Sequence, residues 1–197
     1  MLSEHVPRRD AGFAGLLMSA EEYFALGETE ERYELVNGVV VMSPSPTPRH
    51  WRFVREILGQ LDSFCGPNAI DPYSETDIRV ASSMVLRPDL CVYLRPPSER
   101  VPDRLVEPPD LVVEISSPGN KSYDLQTKHG AYERFGVKEY WMVDPWDPHE
   151  PPGMRVRAWR LERGAYVDME VGADRLVSRV IDGFSLDLGR LRRLAGV

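Results

Sequence analysis

Three carboxylates stand where acids are costly. Glu114 lies inside Leu111-Val112-Val113-Glu114-Ile115, an apolar run of the kind that forms a strand covered on both faces. Asp89 follows Arg87-Pro88 and heads the apolar stretch Leu90-Cys91-Val92-Tyr93, and Glu34 interrupts Tyr33-Glu34-Leu35-Val36. An unpaired carboxylate in low dielectric loses more hydration than packing returns, so each needs a solvent-reaching strand end, an arginine partner or a bound cation. A hard cation such as Mg²⁺ is held by one or two carboxylates with waters and substrate phosphate, and three acids on neighbouring strands suit it. Phosphodiester hydrolysis also profits from a cationic side chain that orients water or stabilises phosphate charge. The segment 124–135 supplies one. Leu125, Tyr132 and Phe135 share a helix face, and the slot completing that stripe is Lys128. Snorkelling along the helix flank is the competing explanation, yet only Lys121, Lys128 and Lys138 are lysines among 24 cations, so a compact ammonium there is a departure from this chain's arginine habit. Asp124, four residues earlier, could pair with Lys128 or cap the helix, and capping is preferred.

The elements that must position these groups are legible in outline. Ser19 and Glu22 form a capping-box pattern before Tyr23, Phe24 and Leu26, which predicts a short helix. Asn37-Gly38 between Tyr33–Val36 and Val39–Met42 predicts a hairpin on a type I′ turn. Thr47-Pro48 reads as cap plus first helical residue, and Val54, Ile57, Leu58, Leu61 and Phe64 give one apolar stripe that ends at Gly66. A second antiparallel pair is expected from Pro72, turning at Ser82-Ser83 and continuing as one strand from Met84 to Tyr93. Leu111–Ile115 should be central in the sheet. A helix from Asp124 to Phe135, closed by Gly136, then leads to the strand Glu139–Asp144, which predicts a crossover connection. Met154–Leu161 and Ala165–Val171 around Arg163-Gly164 form a C-terminal hairpin. Residues 1–17 are a loose lead-in, and 18–197 constitute a single domain.

The 197-residue chain carries 31 acidic against 24 basic residues, a net charge of −7, with 42% hydrophobic residues, enough for a real core. The negative charge belongs to the body: residues 1–154 hold 25 acids and 15 bases, whereas residues 155–197 hold 6 acids and 9 bases. Such a body repels phosphodiester backbones at long range, which argues against a passive nucleic-acid coat protein. Cys65 and Cys91 make neither a disulfide framework nor a zinc motif, and no run approaches the roughly 18 apolar residues of a membrane span. A cytoplasmic setting without a membrane partner is expected. His50 and His129 are expected to be structural or surface residues, and Tyr140 and Trp141 to be sheet core rather than a base-stacking platform.

Pro88-Asp89 followed by Glu114-Ile115-Ser116 on a hydrophobic strand resembles the PD-(D/E)XK, restriction-endonuclease-like superfamily. Ser116 stands where that motif has its lysine, and the resemblance implies that the lysine has moved to the following helix as Lys128. More closely, YELVNGVVVMSPSPTPRH, RPDLCVY and PPDLVVEISSPGNKSYDLQTKHGAYERFGVKEYWMVDP resemble the Uma-two family of restriction-endonuclease-like proteins, over about residues 18–190. The resemblance implies an α/β fold with a restriction-endonuclease-like core: a mixed central sheet flanked by helices, with N- and C-terminal β-hairpins. It implies a Mg²⁺-dependent DNA endonuclease, with Mn²⁺ able to substitute. Asp89 and Glu114 match the two metal-binding acids, Glu34 the upstream acid that joins them, and Lys128 the water-positioning or charge-stabilising cation. Asp77, Gln126 and Tyr132 are expected at pocket-facing places around them. A homodimer would suit double-strand cutting, and DNA association should be weak and metal-assisted. The alternative is a catalytically degenerate module of the same fold acting in protein or nucleic-acid interaction, favoured by the absent motif lysine and the acidic charge. A glycosidase using paired carboxylates is disfavoured, since no clear aromatic sugar platform accompanies them.

Overall fold

The protein is described from a computed structural model, which covers residues 12–43, 45–65, 71–94, 100–101, 104–117, 124–146 and 153–195. Helix α1 (Ala20–Ala25) starts on the expected capping box, with Ser19 Oγ accepting from Glu22 N at 3.2 Å and Glu22 Oε2 from Ser19 N at 2.7 Å. Strands β1 (Tyr33–Val36) and β2 (Val39–Met42) pair around Asn37 and Gly38, at φ 51° and 80°, the left-handed values a type I′ turn demands. Helix α2 (Pro48–Cys65) follows, its Phe53, Val54, Ile57 and Leu61 fully buried. The expected stop at Gly66 lies outside the described residues, as do Lys121 and most of the N-terminal lead-in.

Strand β3 (Asp71–Ser74) precedes β4 (Ile78–Ala81) and β5 (Met84–Leu86). The single strand expected from Met84 to Tyr93 is two strands in different sheets: β5 ends at Leu86 and β6 (Leu90–Tyr93) begins after Arg87-Pro88-Asp89. Pro88 has no amide to give a ladder, so the chain leaves one sheet and enters the other at this point. Short strands β7 (Arg100–Val101) and β8 (Arg104–Leu105) lead to β9 (Leu111–Ile115), buried at every position. A π-helical turn, Asp124–Lys128, then runs into α3 (His129–Phe135), where a plain α-helix was expected. Gly136, at φ 95°, closes it before β10 (Glu139–Asp144).

β11 (Arg155–Glu162) and β12 (Ala165–Asp168) form the C-terminal hairpin. A small pair, β13 (Arg175–Val177) and β14 (Ser185–Asp187), and a final helix α4 (Leu188–Ala195) had no strong periodic signal and were not expected.

Two six-stranded sheets result, in the orders β2-β1-β5-β4-β8-β7 and β12-β11-β10-β9-β6-β3. β9 and β10 are parallel and joined through the 124–135 helix, as the crossover pattern predicts; β9 and β6 are antiparallel, so the sheet is mixed. The alternation of side chains splits the core. Leu111, Val113, Ile115, Trp141 and Val143 pack with α2 and α4 on one face, while Val112, Tyr140 and Met142 pack with α3 and Ile78, Met84 and Leu86 of the other sheet. Glu114, two residues from Val112, faces that second layer.

A buried lysine between two sheets

Glu114 is 3% exposed in the middle of the mixed sheet, and its charge is met from the crossover helix. Lys128 Nζ donates to Glu114 Oε1 at 2.9 Å, and the Tyr132 hydroxyl donates to the same oxygen at 2.7 Å. Residues four apart share a helix face, so both donors come from one stripe. The inward reading of Lys128 holds: its side chain is 7% exposed, and snorkelling to solvent does not describe it. Its place as the last residue of the π-helical turn is characteristic, since such turns recur at functional sites. Burial, and secondarily the charges of Glu114 and Glu34, hold the Tyr132 phenol well above its ordinary pKa, so it stays protonated and donating.

Glu34 enters from the other sheet. Its Oε1 lies 3.2 Å from Lys128 Nζ and accepts the Arg87 backbone N–H at 2.8 Å; Oε2 accepts from the Ser43 hydroxyl at 3.4 Å. Lys128 thus ties β1 to β9. Asp89 stands at the bend one residue before β6; continued by one step, the β6–β9 register, in which Leu90 faces Val113, would bring it opposite Glu114. Its Oδ2 accepts the Ile115 N–H at 2.6 Å, and its Oδ1 lies 3.1 Å from His50 Nε2. At 13% exposure Asp89 is the most open of the four and marks the solvent side of the site.

The four principal residues expected from sequence are therefore brought to one region, but not as three acids around one point. Among the described residues no three His, Cys, Asp or Glu side chains converge as a metal cage. The ammonium takes the position between Glu34 and Glu114, supplying the positive charge that their burial requires. What the donor set does fit is a hard cation on a two-carboxylate platform, Asp89 and Glu114, opposed across adjacent strands and bearing only oxygen donors.

Of the flanking residues, Tyr132 takes its expected place. Asp77 accepts from Arg87 Nε at 2.7 Å and reaches the site only through Arg87, whose backbone holds Glu34. Gln126 is exposed, so the expectation that it faces the pocket is corrected: two residues from Lys128, it falls on the side of the helix away from that inward side chain. The side chain of Asp124, the expected cap, lies outside the described residues. His50 belongs to the site and was not expected there; its only sequence signal is a histidine in the first turn of a helix whose other inward positions, Gln60 aside, are apolar. His129 instead meets Trp159, Tyr140 and Tyr166 edge-on, a packing role, and burial lowers its pKa. Cys91, on the Glu114 face, is a free thiol whose pKa burial and then Glu114 push upward, so it stays protonated. Tyr140 and Trp141 are core, as expected.

Comparison with known proteins agrees with this architecture. The Uma2 family model, described as "Putative restriction endonuclease", matches residues 20–189. A crystal structure from Anabaena variabilis ATCC 29413, described as a putative nuclease belonging to DUF820, superposes with a TM-score of 0.73 at 18% identity, covering 90% of this chain and 99% of that one. That similarity shows a shared fold. No curated protein matches significantly in sequence. Among the described residues no helix is long and apolar enough to cross a membrane. With the family match spanning most of its length, the chain belongs to the Uma2 family of putative restriction endonucleases.

Proposed function

We propose that this protein is a divalent-metal-dependent endonuclease that hydrolyses DNA phosphodiester bonds, with Asp89, Glu114 and Lys128 as its working groups and Mg²⁺, or Mn²⁺ in its place, on the two carboxylates. The observation that carries the reading is the buried Lys128 ammonium held 2.9 Å from Glu114, beside Asp89 on the neighbouring strand. A cation burying two glutamate charges is costly to maintain for stability alone, because well-packed apolar residues would serve as well or better.

When bound, the divalent ion supplies charge for the phosphate and lowers the pKa of a coordinated water. Asp89 and Glu114 orient that ion; the Ile115 amide and the Tyr132 hydroxyl fix the two carboxylates in turn. Lys128 presents a compact ammonium that can hydrogen-bond a phosphate oxygen or orient the attacking water. Glu34 holds that ammonium from the opposite sheet and so belongs with Lys128 more than with the ion. The net charge of −7 predicts weak, salt-sensitive DNA association that the ion assists. We extend the proposal to a cytoplasmic homodimer, which would allow both strands to be cut.

Purified protein should nick supercoiled plasmid with Mg²⁺ or Mn²⁺ and not with EDTA, and Glu114→Ala or Lys128→Ala should abolish nicking. Variants that cut like wild type would remove the site assignment. A second reading, a degenerate nuclease-fold module for protein or nucleic-acid interaction, is favoured by Ser116, which occupies the motif-lysine slot fully buried. Calorimetry showing no affinity for Mg²⁺ or Mn²⁺ in an otherwise folded chain would select it.

A further inference from the structure

His50 stands in the first turn of α2, its backbone amide capped by Thr47 Oγ1 at 3.2 Å, and the residue is only 7% exposed. The inward positions that follow it, Phe53, Val54 and Ile57, are apolar and pack in the core, so an imidazole at this place is not what packing requires. Of its two ring nitrogens, Nδ1 is buried with no partner among the described residues, whereas Nε2 lies 3.1 Å from Asp89 Oδ1. A carboxylate only accepts, so His50 can hold Asp89 through this contact only with a proton on Nε2.

We propose that His50 is a positioning residue for Asp89. The other carboxylate oxygen, Oδ2, is held at 2.6 Å by the Ile115 N–H, one residue beyond Glu114. Asp89 is thereby met from two elements, by a hydrogen bond from β9 on one oxygen and by the His50 imidazole of α2 at ion-pair distance on the other. With both oxygens held, the carboxylate plane cannot turn about its last torsion, and the group stays opposed to Glu114 across the β6–β9 register. With only the Ile115 contact, that rotation is restored. Donors behind a ligating carboxylate or histidine typically change metal affinity by about 10–100-fold when removed. This inference rests on the reading of Asp89 as a cation ligand.

The test compares wild type, His50→Phe, which fills the space without a donor, and His50→Gln, which keeps an amide donor. Mn²⁺ is titrated calorimetrically into the full chain, and the Ile115 amide proton is followed by NMR in metal-free protein. The proposal predicts that His50→Phe weakens Mn²⁺ binding about 10–100-fold and moves the Ile115 amide proton upfield as its short bond to Asp89 loosens. His50→Gln should return both readouts close to wild type. A His50→Phe variant with wild-type Mn²⁺ affinity and an unmoved Ile115 amide overturns the proposal. If wild type binds no Mn²⁺, the cation reading of Asp89 falls instead, and the Ile115 amide still decides: a shift rescued by Gln upholds the positioning role, and no shift ends it.

Discussion

Lys128 Nζ lies 2.9 Å from Glu114 Oε1 and 3.2 Å from Glu34 Oε1, so one ammonium, carried on the crossover helix, joins acids from two different sheets. The pairing solves the burial problem that the sequence posed for both acids, and it sets the stability of the site as much as its chemistry.

Removing that ammonium takes the Lys128 charge away from two buried carboxylates. Lys128→Met should cost about 3–5 kcal/mol in urea unfolding, the usual penalty for breaking a buried ion pair from one side. Adding Glu34→Gln and Glu114→Gln to the same variant should recover much of that stability while plasmid nicking stays absent. A single variant that loses activity at unchanged stability would mean that the ammonium is not the buried counter-charge.

Tyr132→Phe removes one of the two donors on Glu114 Oε1 while keeping the ring that packs against Tyr140. A hydrogen bond to a charged acceptor contributes about 1.5–3 kcal/mol, and that is the expected loss of unfolding free energy. Nicking should fall more than tenfold, because Glu114 then has freedom to turn away from Asp89. Unchanged cleavage would assign the phenol to packing alone.

The same phenol gives a pH signature. Burial raises the pKa of Tyr23, Tyr93, Tyr132 and Tyr166 above the ordinary value of 10.0. A group raised on folding contributes its stabilisation fully below its unfolded pKa and loses it as pH climbs toward the folded one. Unfolding free energy should therefore decline from about pH 10 upward, as the unfolded chain releases these protons first. Tyr132→Phe should decline less steeply than wild type in urea titrations over that range; an equal slope would contradict a raised Tyr132.

Ser116 offers a rescue. Its side chain is fully buried, and its Oγ has no partner among the described residues, at the position where the motif that the sequence resembles has lysine. If Lys128 performs that residue's role from the helix, Ser116→Lys in a Lys128→Ala background should restore nicking at least tenfold above Lys128→Ala alone. No recovery in a folded double variant would mean that the two positions do not reach the same reacting group.

Much of this arrangement was legible in local patterns. Asn37-Gly38 and Arg163-Gly164 announce their hairpins because few residues tolerate positive φ, and Leu111–Ile115 is apolar but for Glu114 because both its faces are covered. Glu114 and Lys128 stood out as charges in apolar frames, and the structure pairs them directly. What local pattern could not supply is partner choice. Whether Glu34 joins a cation or an ammonium depends on the approach of two sheets, and the grip of His50 on Asp89 joins residues 39 apart in sequence. The change of sheet at Arg87-Pro88-Asp89 was masked by the apolar runs on either side of it, Met84–Leu86 and Leu90–Tyr93, although Pro88 carried the signal. The π-helical turn at 124–128 has no compositional mark.

The account turns on whether the opposed pair Asp89 and Glu114 takes a divalent cation. A crystal soaked in Mn²⁺ and measured at a wavelength where manganese scatters anomalously reads this directly. The prediction is an anomalous peak within bonding distance of both carboxylates. Full-strength Mn²⁺ with no peak there, and Lys128 still seated between Glu34 and Glu114, would contradict it.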